Sequence, residues 1–237
     1  MSAIWHDLEC GGYVEDINMW RSLAGRCGGP VLDVGAGTGR VTLDLARLGY
    51  DLTALDRDPV LLAELARRAD GLNVTTVVAD ARDFSLGRRF ALCLVPMQTI
   101  QLLGGSDGRA AFLRCARAHL DERGLLAIAI SEALDVYEVH DGTPAPLPDM
   151  RELDGVVYAS HPTAVRADQD GFVLERRRET ISSTGERTVE HDTVRLDGLT
   201  SAQLEREARA AGLTPDGRAV IPATDDYVGS SVVMLRA

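Results

Sequence analysis

The segment Val31-Leu32-Asp33-Val34-Gly35-Ala36-Gly37-Thr38-Gly39-Arg40 constrains this chain more than any other. A short apolar run stops at a glycine-rich turn and gives way to Val41-Thr42-Leu43-Asp44-Leu45-Ala46. That order fits a buried strand, a tight turn and a helix. The glycines allow a sharp turn and let a ligand approach main-chain N–H groups, and the following helix adds free donors and a positive dipole end. The segment therefore reads as a nucleotide-type binding loop. A dinucleotide fold wants G-x-G-x-x-G. Here the spacing is G-x-G-x-G, and Arg40 stands where the third dinucleotide glycine would be. Asp33, two residues before the first glycine, would repel a pyrophosphate and suits a ligand that carries an ammonium group and no phosphate.

The flanking chain alternates strands and helices. Val14 to Arg26 has helical apolar spacing, and Gly28-Gly29-Pro30 ends it. After the loop, a helix runs to about Leu48, with Gly49 as its C-cap. Leu52–Leu55 reads as a strand ending at Asp56, and Asp58-Pro59 as the N-cap and first position of a helix. Residues 73–79 form a third strand ending at Asp80. Phe90–Val95 is a fully apolar fourth strand, 108–120 a helix, and 124–130 a fifth strand. This is a parallel α/β pattern with crossover helices. The pattern then changes. Asp141 to Pro148 is a loop, and Val156–Tyr158, Phe172 to Ile181 and Thr188 to Leu196 alternate like antiparallel strands, with a turn at residues 183–186. Thr200 caps a helix to Ala211, with Gln203 at the capping-box position. Leu213 onward and Val228 to Leu235 supply two last strands. The expected organisation is one α/β domain, residues 1–131 and 200–237, with an inserted antiparallel lobe at 132–199.

Composition excludes several classes. The formal net charge of −11 argues against a polyanion partner, so no nucleic acid is expected. All 25 basic residues are arginine, which we read as base-composition bias. The four cysteines are scattered with no C-x-x-C pair, so no metal site is expected. No signal-peptide pattern opens the chain, no apolar run reaches membrane-spanning length, and the thiols suit a reducing cytoplasm.

Asp56, about twenty residues past the loop, is placed to take two ribose hydroxyls. Asp80, in Ala79-Asp80-Ala81-Arg82-Asp83-Phe84, is placed to accept from an adenine amino group, with the Ala81 N–H facing the ring. Three strand ends carrying Asp33/Gly35, Asp56 and Asp80 make one nucleoside groove, and S-adenosylmethionine (SAM) is a nucleoside ligand with an ammonium and no phosphate. On these residues the chain resembles the class I SAM-dependent methyltransferases, strongly over residues 30–131. The resemblance implies a doubly wound, Rossmann-like, mostly parallel seven-stranded sheet with a reversed final hairpin. It extends to Tyr13 and Trp20, like the N-terminal helix of the small-molecule branch, where such a Tyr reaches the methionine carboxylate. It also extends to Met97-Gln98-Thr99-Ile100-Gln101-Leu102, like the segment that closes over the methionine part. The inserted sheet is similar to that of glycine and amino-sugar N-methyltransferases. The implied cofactor-binding set is Tyr13, Trp20, Asp33, Gly35, Ala36, Gly37, Asp56, Arg57, Asp80, Ala81, Arg82, Met97 and Gln101.

The patterns of nucleobase and protein-arginine enzymes are missing, which leaves a small-molecule acceptor with an amine or hydroxyl. Acceptor-side candidates are Glu132, Tyr137, Glu138, His140 and Asp141, with His161 and His191 further on. Tyr137 and His140 stand out as catalytic candidates because three-residue spacing at a strand-end turn could aim both inward, with His140 as base. A non-catalytic SAM-binding protein stays open as an alternative. A NAD-dependent oxidoreductase also stays open, disfavoured by Asp33 and Arg40. A homodimer is compatible with the sequence, which does not fix the assembly.

Overall fold

The computed structural model describes residues 2–142, 145–224 and 227–237. In chain order the elements are α1 (Ala3–Cys10), α2 (Ile17–Cys27), β1 (Val31–Val34), α3 (Arg40–Arg47), β2 (Leu52–Asp56), α4 (Pro59–Arg68), β3 (Val74–Val78) and β4 (Phe90–Val95). A 3₁₀ turn (Thr99–Leu102) leads into α5 (Gly105–His119) and β5 (Leu120–Ile130). Then come β6 (Tyr137–Glu138), β7 (Asp149–Leu153), β8 (Val156–Ala167), β9 (Gly171–Ile181), β10 (Arg187–Asp197), α6 (Ser201–Ala210), β11 (Thr214–Ile221) and β12 (Ser230–Arg236).

Two sheets result. The larger has seven strands in the order β11-β12-β5-β4-β1-β2-β3. Its first five strands in sequence run parallel, while β12 joins β5 antiparallel and closes a hairpin with β11. Helices must cover both faces of such a sheet, and the burial shows it. Every residue of β1 is buried, and Phe90, Leu92, Leu94 and Val95 of β4 are fully so. One face packs Phe112, Leu113 and Ala116 of α5 with Leu204 and Ala208 of α6. The other packs Trp20, Leu23 and Ala24 of α2 with Val41, Leu45 and Ala46 of α3. The strand order reverses at β1, beside β4, so the β1–α3 turn stands at the switch point where such sheets bind ligands.

The second sheet is antiparallel, in the order β10-β9-β8-β6, with β7 on the same strand β8. The expected α/β fold with an antiparallel insertion is therefore the observed one. Local differences have physical causes. Helix α1 was not read from the sequence. Helix α2 starts at Ile17, because Val14 is 61% exposed and gains nothing from helical burial. Strand β5 begins at Leu120, directly after α5, and Phe90 pairs with Leu120 there. Strands β6 and β7 are short and largely exposed, so they carry little hydrophobic alternation. Thr200 caps α6 through Gln203 N, but the Gln203 amide turns to Glu207 and does not complete a capping box. Of the expected loop Asp141–Pro148, Thr143 and Pro144 lie outside the described residues; the others are in no strand or helix. Among the described residues no helix is long and apolar enough to cross a membrane.

Candidate active site

The glycine loop is tied to its neighbour strand. Gly35 N and Ala36 N both donate to Leu55 O, at 2.8 and 3.1 Å, where β2 ends. Asp56 follows at once. Its Oδ2 accepts from Gly37 N at 2.8 Å and its Oδ1 from Asp58 N at 2.9 Å. Both oxygens are thus fixed in place by backbone donors and keep further lone pairs for a ligand.

Two glycines in the loop are required by close approach. A Cβ on Gly35 would lie 2.5 Å from the Thr99 methyl, and one on Gly37 would lie 2.3 Å from His6 Nε2. Both residues also have positive φ, 74° and 54°. The open face of the loop is therefore lined by Thr99, from the 3₁₀ turn, and His6, from α1. Gly39 serves packing: its Cβ would meet the Leu65 side chain of α4 at 2.2 Å.

Beneath the loop, Asp33 is 1% exposed. Thr42 of α3 donates to its Oδ2 at 2.6 Å, while Oδ1 has no partner among the described residues. Burial pushes its pKa up to about 6, against the opposing pull of Thr42 and Arg40. A buried carboxylate with one unsatisfied oxygen is a costly feature. It is also an acceptor waiting for a cationic donor.

Arg40 does not face the loop. Its guanidinium forms a bidentate pair with Asp16 at 2.5 and 2.7 Å, donates to Tyr13 O at 2.8 Å and lies 5.1 Å from the Tyr13 ring centroid. This ties the start of α2 to α3. Trp20 belongs to that anchor and not to the groove. It is fully buried, and its indole N–H donates to Asp16 at 2.8 Å. Its expected cofactor contact is corrected accordingly. Tyr13 is 6% exposed, and its ring packs 5.0 Å from that of Tyr227. Its hydroxyl is buried without a well-aligned hydrogen bond among the described residues. Burial and then Asp16 raise its pKa, and the Ser230 hydroxyl only partly offsets them.

Further along the strand ends, Asp80 is held by its own neighbour. Arg82 Nε and Nη2 donate to its two oxygens at 2.9 and 2.6 Å, and Arg82 N to Oδ1 at 2.8 Å. That pairing holds the Asp80 carboxyl down at about 2. Arg82 therefore acts on Asp80, and an adenine amino group would share an acceptor already engaged. Arg57 is exposed, with its charge felt at Asp80, and Ala81 packs partly on the core. Met97 takes φ of +54°, an uncommon conformation for a side-chain residue and one met at functional sites. Gln101 is corrected. It is 1% exposed, and its amide is spent on Ser131 N, Ser131 O and Asp197 O, at 2.9, 3.0 and 2.9 Å. It clamps the turn over the loop to the ends of β5 and β10 and reaches no groove.

Helix α1 is the element that sequence reasoning missed. Asp7 accepts from Thr38 Oγ1 at 2.6 Å and from both terminal nitrogens of Arg68. On its other side, Glu9 accepts from Arg178 Nε and Nη2, each at 2.7 Å, and from Ser160 at 2.8 Å. Trp5 meets the Tyr158 ring edge-on at 5.5 Å, with Arg178 5.6 Å from its own ring centroid. So α1 joins the glycine loop to the antiparallel sheet.

In that second sheet Tyr137 is half-buried, its pKa raised by burial against the pull of Arg176. The expectation that three-residue spacing aims Tyr137 and His140 inward together is not met. Tyr137 and Glu138 are extended in β6, so side chains alternate and a three-residue step reverses the face. His140 is exposed, as is His191. Glu132 accepts from Ser201 and is exposed too. A cavity of about 630 Å³ lies beside the loop, between α1, α2, α3 and α4. It is rich in arginine, but Arg21 is paired with Asp44 and Arg68 with Asp7.

Residues 31–124 match the family model described as "Methyltransferase domain". A probable cobalt-precorrin-6B C(15)-methyltransferase (decarboxylating) of Methanothermobacter thermautotrophicus is 40% identical over 81 residues, which are 32% of this chain. The match spans 38% of that protein's length. Streptomyces venezuelae DesVI superposes with a TM-score of 0.74 at 19% identity, over 98% of this chain and 97% of its own. The sugar N-methyltransferase KedS8 of Streptoalloteichus gives 0.74 at 20% identity, over 99% and 92%. CalS10, an amino pentose methyltransferase of Micromonospora echinaspora, gives 0.72 at 19%, over 100% and 98%. Residues 31–124 thus match a methyltransferase domain, in a chain whose fold throughout is like that of SAM-dependent methyltransferases.

Proposed function

We propose that this protein transfers a methyl group from SAM to an amine or hydroxyl of a small-molecule acceptor. The observation that carries the reading is the Asp56 carboxylate, held by Gly37 and Asp58 N–H groups at the rim of a loop with no Cβ at its closest points. The residues fit the cofactor by two further signs. Asp33 offers a buried oxygen with no partner among the described residues for an ammonium, and the buried Tyr13 hydroxyl, without a well-aligned hydrogen bond there, can donate to a carboxylate. The fold neighbours whose names carry SAM or SAH support the same ligand.

When bound, SAM supplies a methyl on a positively charged sulfur. The protein's part is then alignment: Asp56 takes the ribose hydroxyls, Asp33 the ammonium, and the turn from Met97 to Leu102, clamped by Gln101, covers the donor. Residues 132–199 form the acceptor-binding lobe in this reading, joined to the donor site by α1. Tyr137 is one of its half-buried polar groups, able to align an acceptor by hydrogen bonding. An amine acceptor, delivered neutral, needs no strong base, in keeping with a lobe whose His140 and His191 are exposed. Neighbours named as a sugar N-methyltransferase and a glycopeptide N-methyltransferase, each similar over at least 92% of this chain, favour nitrogen over oxygen.

The test is calorimetric titration of SAM, with NAD as the control, into wild type and Asp56→Ala, followed by an amine, hydroxyl and amino-sugar panel assayed for S-adenosylhomocysteine (SAH). Loss of charge-assisted bonds predicts SAM binding weaker by about 1.5–3 kcal/mol in the variant. Unchanged affinity would mean that Asp56 is not in the donor site. Tight SAM binding with no SAH formed from any acceptor would leave a non-catalytic SAM-binding protein.

A further inference from the structure

Helix α1 brings His6 onto the glycine loop, and the hydrogen bonds around it fix how the imidazole presents itself. Asp7 is an ionised carboxylate: Arg68 and Thr38 outweigh the effect of burial and keep its pKa low. It can only accept, so the Thr38 hydroxyl proton, 2.6 Å away, goes to Asp7. Thr38 Oγ1 then has only lone pairs left for His6 Nδ1 at 3.1 Å. The Nδ1 atom must therefore be the donor. In the neutral ring this leaves Nε2 unprotonated. Burial holds the ring neutral, although Asp7, Asp56 and Glu9 favour its charged form and Arg40 opposes it. Nε2 is the His6 atom nearest the place where a Gly37 Cβ would stand. Gly37 N in turn is bonded to Asp56 Oδ2. An accepting nitrogen thus sits at the loop on the side of the Asp56 carboxylate, oriented by an Arg68–Asp7–Thr38 chain.

We propose that His6 is a donor-binding residue whose Nε2 accepts a hydrogen bond from a ribose hydroxyl of the methyl donor, next to Asp56, so that closing α1 completes the donor site. The proposal rests on the methyl-donor reading above. It gives the Asp7–Thr38–Arg68 cluster a role as well, since it sets the tautomer and aim of His6. Thr38, Asp7 and Arg68 are positioning residues in this scheme.

The experiment titrates SAH and its 2′-deoxy and 3′-deoxy analogues into the full chain, into His6→Phe and into His6→Gln. His6→Phe keeps a ring over Gly37 and removes the acceptor. His6→Gln can return an amide oxygen to the Nε2 position. SAH should bind His6→Phe roughly 3- to 10-fold more weakly than wild type, the size of one hydrogen bond. His6→Gln should recover most of that loss. For one of the two deoxy analogues, wild type and His6→Phe should bind equally. An equal penalty in His6→Phe for all three ligands, or none for any, overturns the proposal. Should His6→Phe not fold, ¹⁵N spectra of the wild-type imidazoles decide. They should show an unprotonated Nε2 that shifts on adding SAH and not on adding that deoxy analogue; a protonated Nε2 in the free protein overturns the tautomer argument. Absence of SAH binding to wild type would instead sink the donor reading itself, and this proposal with it.

Discussion

Replacing Asp33 by Asn should move stability and binding in opposite directions. Asp33 is fully buried with one oxygen unsatisfied among the described residues, and burial pushes its pKa up to about 6 from the ordinary aspartate value of about 3.9. That rise, about two units at 1.36 kcal/mol each, means the ionised group costs the fold roughly 3 kcal/mol. The sign follows from proton counting. Between the two values the folded chain holds more protons than the unfolded one, so stability falls as pH rises. The cost is absent below about pH 4 and complete above about pH 6. Asn keeps the shape and can still accept from Thr42, but its amide N–H groups need a partner, which takes back part of the gain. Urea unfolding at pH 8 should therefore find Asp33→Asn more stable by about 1–2 kcal/mol, with the advantage shrinking towards pH 4. Titration of SAH should find binding weakened by about 1.5–3 kcal/mol, because the ammonium loses a charged acceptor. A variant less stable than wild type at pH 8, with SAH affinity unchanged, would refute both the burial argument and the ammonium assignment.

Gly37→Ala places a methyl 2.3 Å from His6 Nε2 at a φ of +54°, so a loss of about 2–4 kcal/mol in thermal unfolding and a loss of SAH binding are expected. Glu9→Gln leaves Arg178, 8% exposed, with Asp192 at 3.0 Å as its remaining ion pair among the described residues, and should cost about 2–4 kcal/mol by denaturant unfolding at pH 7. In wild type, burial pushes Glu9 up, but Arg178 and Ser160 outweigh it and hold its pKa below the ordinary glutamate value. Its contribution is complete above about pH 4.5 and lost as pH falls through the lowered folded value, so the difference between variant and wild type should vanish in strong acid. Gln101→Leu strips Ser131 N–H, Ser131 C=O and Asp197 C=O of their partner and should cost about 2–4 kcal/mol in the same assay.

The large sheet was legible because local pattern and final environment agree. An apolar run such as Phe90–Val95 can be satisfied only by burial on both faces, and Asp58-Pro59 starts a helix by local hydrogen bonding alone. Strand β12 was legible for the same reason, whereas β11 is largely exposed and its hairpin with β12 followed from the family resemblance. Helix α1 was not, because what holds it is distant in sequence: Asp7 meets Arg68 61 positions away, and Glu9 meets Arg178 169 positions away. With it went His6, whose place on Gly37 no spacing rule reveals; Thr38 lay inside the loop as the one available clue. Gln101 and Trp20 sit in segments expected at the groove but turn inward, a choice made by the packing of Ser131, Asp197 and Asp16. The pairing of Asp80 with Arg82 is a two-residue contact within one turn, readable in principle from Asp80-Ala81-Arg82. The function of the second sheet stayed opaque because its strands carry many charges on partly exposed faces, which gives pairing without marking a site.

The most direct test is a crystal structure of the protein with SAH. The account predicts ribose hydroxyls on Asp56 at hydrogen-bond distance, the homocysteine chain over Gly35 and Gly37 with its ammonium at Asp33, and an acceptor cavity bounded by Tyr137 and residues of the second sheet. A nucleoside bound instead in the arginine-rich cavity between α2 and α3, or Asp56 bonded to Gly37 and Asp58 alone, would contradict it.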